Sequence, residues 1–444
     1  MIREYKVENI RPSDKNVVEL EQKFLERFSQ VLPHMQRDKR IEIAIGFLLE
    51  ETSLEKNRIY QLAEFIAGYG IIDPLLRDDM IEEVLISGPD LPILIYHRRF
   101  GKCVTNLRFE SEEEISRLIR KIKIFCGVKI DKPIINTFMP DGSRINLTLP
   151  PVSFSKMIVI TIRKYLEKQP SIVDMINNGT MSAKMAAFLW MCVDGFGLAP
   201  RNIIITGGTS SGKTTLLNAL LTFSREYERI VSIEDILDLN LSYCEDWVRT
   251  RTTDEIDMSR LVENSLRLRP DRIVVGEVRG PEAYNLVAAM NVGHNAMGTI
   301  HANSARDMIT RMTSPPMNVP LNMLSVIDLV IVLTRFYEGE IKRRVTYIEE
   351  VGKIHKGMVQ LGPVFEYDGR SKKTRFTKFP SITIGRIAEI SGLTEKDVID
   401  EIKKREIILR FMVKKGISKQ DDFVDFIREY YNNPDKILSL VRKG

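Results

Sequence analysis

The chain is expected to fold as an α/β protein with a parallel-rich sheet domain in its second half. An α+β domain precedes it and a small helical domain follows. Three observations predict this. Between residues 182 and 351, apolar runs of strand length alternate with helical patterns, as in sheets whose strands are joined by crossover helices. Between 71 and 164, short strand signals are separated by turn residues. Before 71 and after 381, apolar residues recur at helical spacing.

The elements follow in order. VVELEQKFLERFSQVL (17–32) and NRIYQLAEFIAGYG (57–70) repeat apolar positions every three or four residues, so 1–70 reads as an N-terminal helical region. EEVLISGPD, PILIYHRRFG, PDGSRINLTL and KMIVITIRK are strand signals, interrupted by one helix at 112–125; they make 71–164 an α+β domain with an antiparallel sheet. Pro170 and Gly179 mark 165–181 as a linker. NIIIT, RIVSIE, RIVVGE, AMGTIH and DLVIVL supply five strands to the domain at 182–351. The polar stretch around GRSKKTRFTK makes 352–380 a connector, and helices fill 381–444.

Composition narrows the function classes. A length of 444 residues suits two to four domains, and 43% hydrophobic with 28% charged residues is ordinary for a soluble globular protein. A net charge of +5 on 65 basic and 60 acidic residues is too balanced to argue for nucleic-acid binding, though it is compatible with an anionic membrane surface nearby. Cys103, Cys126, Cys192 and Cys244 form no CxxC pair, which argues against a zinc site and a disulfide framework and fits a reducing compartment. The start, MIREYKVENIRPSDK, lacks the apolar core of a signal peptide, and no apolar run approaches a membrane span. Membrane work would go through a partner.

NIIIT runs into GGTSSGKTTLLNAL, which matches the pattern G-x-x-x-x-G-K-[ST] at Gly207, Gly212, Lys213 and Thr214. Glycines let such a loop wrap so that backbone N–H groups face phosphates, and the following helix N-terminus adds favourable potential. Gly207, Gly208, Thr209, Ser210, Ser211, Gly212, Lys213, Thr214 and Thr215 are therefore the candidate nucleotide-binding residues. Lys213 would reach the β- and γ-phosphates, and the Thr214 hydroxyl would ligate Mg²⁺. ATP and Mg²⁺ are the expected substrate and cofactor.

Such a loop needs an acidic group from a neighbouring strand to hold metal or position water. Glu234 and Asp235 end the strand in SIEDILDLN, and Glu277 ends the strand in RIVVGEVR. Gly276 precedes that last acid and no Asp is present there. Either this is not the usual strand beneath a nucleotide, or the site divides its acidic work differently. Glu277 is expected to orient or deprotonate the attacking water, with Glu234 assisting it or the metal through water. His294 and His301 flank a short strand in GHNAMGTIHANS, where a neutral imidazole would hydrogen-bond a γ-phosphate. Arg249, Arg251, Arg260, Arg267, Arg269 and Arg272 crowd the intervening stretch. Most are expected at the surface or in salt bridges, with some available to act across a subunit boundary.

Four blocks then coincide in order: GGTSSGKTT, SIEDILDL, RPDRIVVGEVRG and GHNAMGTIHANS. Together they resemble the Walker A, Asp box, Walker B and His box of the type II/type IV secretion ATPases, whose Walker B strand commonly carries Gly before Glu. GYGIIDPLLRDDMIEEVLISGPD resembles the start of that family's N-terminal sheet domain. RMTSPPMNVP, NVPLNMLSVIDLVIVLTR and the tail MVKKGISKQDDFVDFIREYYNNPDKI resemble its archaeal branch, close to archaellum motors and archaeal pilus assembly ATPases. The resemblance implies a RecA-like ATPase domain and a homo-hexamer with ATP at the cleft between N- and C-terminal domains. It also implies N-domain arginines on the phosphates, matched here by Arg144 in PDGSRIN and Arg163 in ITIRK. The implied partners are a polytopic membrane platform protein and, through it, pilin-like subunits. The implied location is the cytoplasm, peripheral at the inner face of the cell membrane. The tetracysteine insertion of bacterial relatives is missing from the sequence, so zinc is not implied.

Two other classes compete. A DNA-translocating ring ATPase would use a helix-turn-helix in IAEISGLTEKDVIDEIKKR (387–405), but the second helix carries acids and lacks a strongly basic face. A binding-only scaffold is disfavoured because Lys213, Thr214 and Glu277 are all present. No direct nucleic-acid contact is expected.

Overall fold

Two separate groups of contacts organise the chain: Met1–Leu166 with Glu338–Ile341, and Glu167–Tyr337 with Lys342–Gly444. The computed structural model describes residues 3–8, 10–12, 16–153, 157–165, 169–253, 255–371, 373–377 and 380–443. Residues 166–168 of the expected linker lie outside the described residues. So do 372 and 378–379 of the expected connector, and 1, 2, 9 and 13–15 of the expected helical region.

In the first unit, α1 (Val17–Arg27), α2 (Arg37–Glu51), α3 (Lys56–Ala67) and the short α4 (Asp73–Arg77) share one core with a seven-stranded sheet. The strands are β1 (Arg3–Tyr5), β2 (Ile81–Ile86), β3 (Pro92–His97), β4 (Gly101–Arg108), β5 (Ile134–Phe138), β6 (Arg144–Thr148) and β7 (Val159–Arg163). Their order is β1-β4-β3-β2-β7-β6-β5, antiparallel except for β1, which runs parallel to β4. The expected helix at 112–125 is α5 (Glu112–Phe125). Ser111 caps it by accepting from the Glu114 N–H, and three acids in its first turn complement the helix dipole.

The expected split at residue 70 does not appear as a core boundary. Phe24, Phe47 and Ile66 of the helices pack in the same cluster as Val84, Ile145 and Ile162 of the sheet. A buried ion pair ties the layer together: Lys121 of α5 sits 3.1 Å from Glu21 and donates to the Phe65 carbonyl at 2.6 Å. Burial holds the Lys121 ammonium below its usual range. Strand β4 escapes the sequence pattern because its buried positions, Gly101, Cys103, Thr105 and Leu107, are mostly small or polar.

The second unit begins inside the expected linker. Ser171 and Asp174 form a capping box for α6 (Ile172–Asn177), whose Ile172 and Val173 are buried in the core. Then come α7 (Ala183–Asp194), β8 (Ile203–Gly207), α8 (Lys213–Leu221), β9 (Ile230–Glu234), β10 (Trp247–Arg251) and α9 (Met258–Ser265). They are followed by β11 (Arg272–Val278), α10 (Glu282–Asn291), β12 (Asn295–Ile300), α11 (Ala305–Thr313) and β13 (Leu329–Tyr337). Strands β10, β9, β11, β12, β8 and β13 lie side by side and parallel. Both faces of β8, β9, β11, β12 and β13 are covered, which is why these five read as continuous apolar runs; β10, WVRTR, is the half-exposed edge. Ile203 and Ile205 of β8 pack in one core, and Ile204 in the other.

Residues 352–380 are not a connector. The sheet continues through β14 (Ile341–His355), β15 (Met358–Asp368) and β16 (Lys373–Phe376), with β15 antiparallel to both neighbours. Lys356 and Gly357 take φ of 49° and 73°, the backbone of a two-residue hairpin turn. The signal was faint because Lys rarely occupies a left-handed position and charged residues interrupt the alternation.

The helices α12 (Ile382–Ser391), α13 (Glu395–Lys415), α14 (Gln420–Asn432) and α15 (Pro434–Lys443) do not form a separate core. Ile408, Leu409, Phe423 and Ile427 cluster with Trp190 and Leu216 of α7 and α8. Thr394 caps α13 through a capping box with Asp397, and the face carrying Val398, Ile402 and Met412 is buried. Asp194, at the unfavourable C-terminal end of α7, accepts from Arg405 and Arg225, each at 2.7 Å. Trp190 donates to Tyr431, which in turn donates to the Phe223 carbonyl. Arg405→Met therefore removes a buried partner of Asp194 and is expected to cost about 3 kcal/mol, read as a lower urea midpoint for the transition of the second unit.

Candidate active site

The phosphate loop grows directly from the sheet. Strand β8 ends at Gly207, and α8 starts at Lys213 behind Gly212, whose φ is 96°. Ser210 is also left-handed, with φ of 57°. A side chain at Gly207 would meet the Leu333 carbonyl oxygen and Ser211 Oγ, each at 2.5 Å, so only glycine leaves the loop its path. No side chain caps α8, so its first N–H groups are left to an anion. Lys213 Nζ donates to the carbonyls of Gly207 at 3.1 Å and Gly208 at 3.2 Å. Arg343 of β14, not anticipated from sequence, donates from Nε to the Ser210 carbonyl at 3.0 Å.

One pocket beside this loop is lined by Thr214, Glu234, Asp235, Ile236, Asp238, Gly276, Glu277 and Arg279. Both strand-end acids thus meet the metal-binding hydroxyl expected of the loop. Their environments differ. Glu234 is almost fully buried and accepts from the N–H groups of Asp238 and Leu239, at 2.7 and 2.8 Å, and from Arg249 Nε at 3.3 Å. Burial pushes its carboxyl up to about 7 despite those donors. Glu277 is also partly desolvated, which pushes its carboxyl up. Its 2.6 Å bond to Arg279, with the charges of Arg279 and Lys213, outweighs this and leaves it below the usual range.

Gly276 now has a physical reason. A side chain there would meet Glu234 Cγ at 3.3 Å, so the glycine makes room for the neighbouring acid. The pairing of β11 with β12 also shifts register between Val275 and Val278, an irregularity that aims Glu277 away from the regular ladder. Thr299 of β12 donates to the Gly276 carbonyl at 2.6 Å and secures the bend.

The two histidines are not brought together. His301 follows the C-terminal end of β12, near enough to Lys213 and Glu277 for their charges to bear on it. Burial, then the Lys213 and Arg311 cations, lower its pKa, so it is neutral at pH 7. His294 precedes the first residue of β12, at the opposite end of the strand. In a parallel sheet, ligands collect at the carboxyl ends of strands, so His294 is not part of this pocket. Within the arginine run, Arg272 is buried and pairs with Glu228 at 2.6 Å, a structural role, while Arg249 braces Glu234. Arg279, which sequence left unassigned, is the partner of Glu277. Arg144 and Arg163 lie in the first unit, opposite each other in the β6–β7 register.

Among the described residues no cluster of three or more His, Cys, Asp or Glu is arranged to hold a metal by itself. The oxygen donors of Thr214, Glu234 and Glu277 around one pocket fit Mg²⁺, which binds through one or two carboxylates together with substrate phosphates.

A phosphate loop at the carboxyl edge of a parallel sheet, faced by two acids, defines a P-loop α/β protein. The chain belongs to the type II/IV secretion system protein family, which it matches over residues 66–360. An uncharacterized protein of Methanocaldococcus jannaschii is 31% identical to it, covering 87% of this chain and 70% of its own length. A probable conjugal transfer protein TrbB of Sinorhizobium fredii is 35% identical, over 64% of this chain and 88% of its own. Among solved structures, the ATPase DotB of Legionella pneumophila aligns with 83% of this chain and 93% of its own, at 17% identity and a TM-score of 0.47.

Gly276→Ala tests the packing of the two acids. The added methyl is expected to displace Glu234 and lower stability by about 1–2 kcal/mol in chemical denaturation, an effect that Glu234→Ala in the same chain relieves.

Proposed function

We propose that this protein is an ATP-hydrolysing motor, working as a homo-hexamer, that powers assembly of a type IV pilus-like filament or type II-like secretion. The observation that carries the chemistry is the pocket joining Thr214, Glu234 and Glu277 beside the phosphate loop. Mg²⁺, when bound with nucleotide, supplies charge neutralisation on the β- and γ-phosphates. The loop N–H groups and Lys213 hold the phosphates. Glu277, ionised at neutral pH, orients a water and accepts its proton as the water oxygen bonds to the γ-phosphorus. The bond to the bridging oxygen then breaks, leaving ADP and phosphate. Glu234 anchors the 235–239 turn through two backbone N–H groups and so shapes the pocket wall. Neutral His301 donates a hydrogen bond toward the γ-phosphate and registers its departure.

Arg144 and Arg163 keep the phosphate-contacting role that the family resemblance implies. Arg144 lies opposite Arg163, and Arg163 also faces Glu83 of β2 at 3.9 Å, so a phosphate would compete with that carboxylate for Arg163. Loss of the γ-phosphate would weaken that attraction and change the free energy of domain closure by a few kcal/mol, enough to drive a cycle. Among the described residues no helix is long and apolar enough to cross a membrane; as the family resemblance implies, the motor would act through a polytopic platform protein at the inner face of the cell membrane. An archaellum or an archaeal pilus fits the archaeal relative. The conjugal transfer relative favours a second reading, DNA transport. Against it, α13, the candidate recognition helix, buries its apolar face in the core.

The deciding experiment compares ATP turnover of wild type and Glu277→Gln. The variant is expected to bind nucleotide and lose roughly 100-fold or more in kcat. Equal turnover would remove Glu277 from the chemistry. Stimulation by DNA with steep salt dependence would favour the second reading.

A further inference from the structure

The phosphate loop contains an unusual conformational demand. Ser210 is a non-glycine residue at φ of 57°, followed two residues later by Gly212 at 96°. For Ser210, unlike the glycine, such backbone persists only where its surroundings hold it. The N–H groups that face phosphates are set by this stretch, so whatever holds it also sets the anion site. Lys213, in the first turn of α8, donates to the Gly207 and Gly208 carbonyls at the start of the loop.

The Nε of Arg343 donates to the Ser210 carbonyl at 3.0 Å across 133 residues of sequence. Its Cδ lies 3.4 Å from the place where a side chain on Gly212 would begin, so the aliphatic stem rests against that glycine while the guanidinium grips the loop. A bond from a charged donor is stronger than a neutral one. The strand that presents it is anchored: β14 belongs to the nine-stranded sheet, and Val345, two residues on and on the same face, is fully buried in the core that also holds Leu333.

We propose that Arg343 is a positioning residue for nucleotide binding. It holds Ser210 and Gly212 in the left-handed geometry that points the loop N–H groups at the phosphates, and it adds a fixed cation behind the loop. It touches the loop and not the reacting atoms, so its removal bears on binding more than on chemistry. This rests on the ATP-hydrolysis reading given above.

The test is steady-state ATP turnover by the full chain with Arg343→Met, which keeps the stem and removes the donor, and Arg343→Lys, which restores a cationic donor at a different reach. Arg343→Met is expected to raise KM for ATP roughly tenfold while kcat stays within about threefold of wild type. The melting temperature should move by no more than about 2 °C. Arg343→Lys should recover part of the lost KM. An unchanged KM, a fall in kcat at constant KM, or a large melting loss shared equally by both variants would overturn the proposal. A wild type with no turnover would instead sink the hydrolysis reading on which it stands.

Discussion

The site depends on the parallel register of four strands. Val275 of β11 lies opposite Ile233 of β9 and Gly298 of β12, and Gly298 lies opposite Ile204 of β8. One residue further along each strand stand Glu234, Gly276, Thr299 and Ile205, all at one level. Two residues beyond that level come Gly207 and His301. Backbone pairing therefore brings the phosphate loop, Glu234 and His301 to one edge, with Glu277 beside them just past the irregularity in β11. Shifting any strand by one residue would turn its side chains to the other face and dismantle the pocket.

Against that fixed frame, two chemically identical carboxyls are driven apart. Glu234 is sealed beneath its own turn and its pKa rises toward neutrality, while Glu277 meets Arg279 and Lys213 and stays ionised. Environments that separate a pair of acids assign their work. The glycine between them is the enabling detail: Gly276 leaves the space that Glu234 fills. The absence of an Asp from that strand is thus matched by a buried acid on the next strand.

Much of this was legible in sequence because the signals were local. The phosphate loop, its flanking strand and helix, and the strand-end acids are each contained in a few adjacent residues. Five of the six parallel strands were visible because both their faces are buried; the edge strand β10 was not. What stayed hidden depends on distant pairing. Arg343 reaches Ser210 only through the added hairpin of β14 and β15, whose charged residues disguise its alternation. The integration of the C-terminal helices rests on Asp194 meeting Arg405, a contact across 211 residues. His294 was misplaced for a related reason: closeness in sequence to His301 spans a whole strand, and only the sheet direction tells which end carries the chemistry.

The central claim is that this edge of the sheet binds Mg²⁺ and a nucleoside triphosphate through the phosphate loop. Calorimetric titration of ATPγS into the full chain, with Mg²⁺ and again with a chelator, tests it most directly. The account predicts one site per chain with a dissociation constant in the micromolar range, corresponding to about −8 kcal/mol, weakened at least roughly tenfold without Mg²⁺ and lost in Lys213→Ala. Absence of binding at millimolar nucleotide, or binding indifferent to both Mg²⁺ and Lys213, would contradict it.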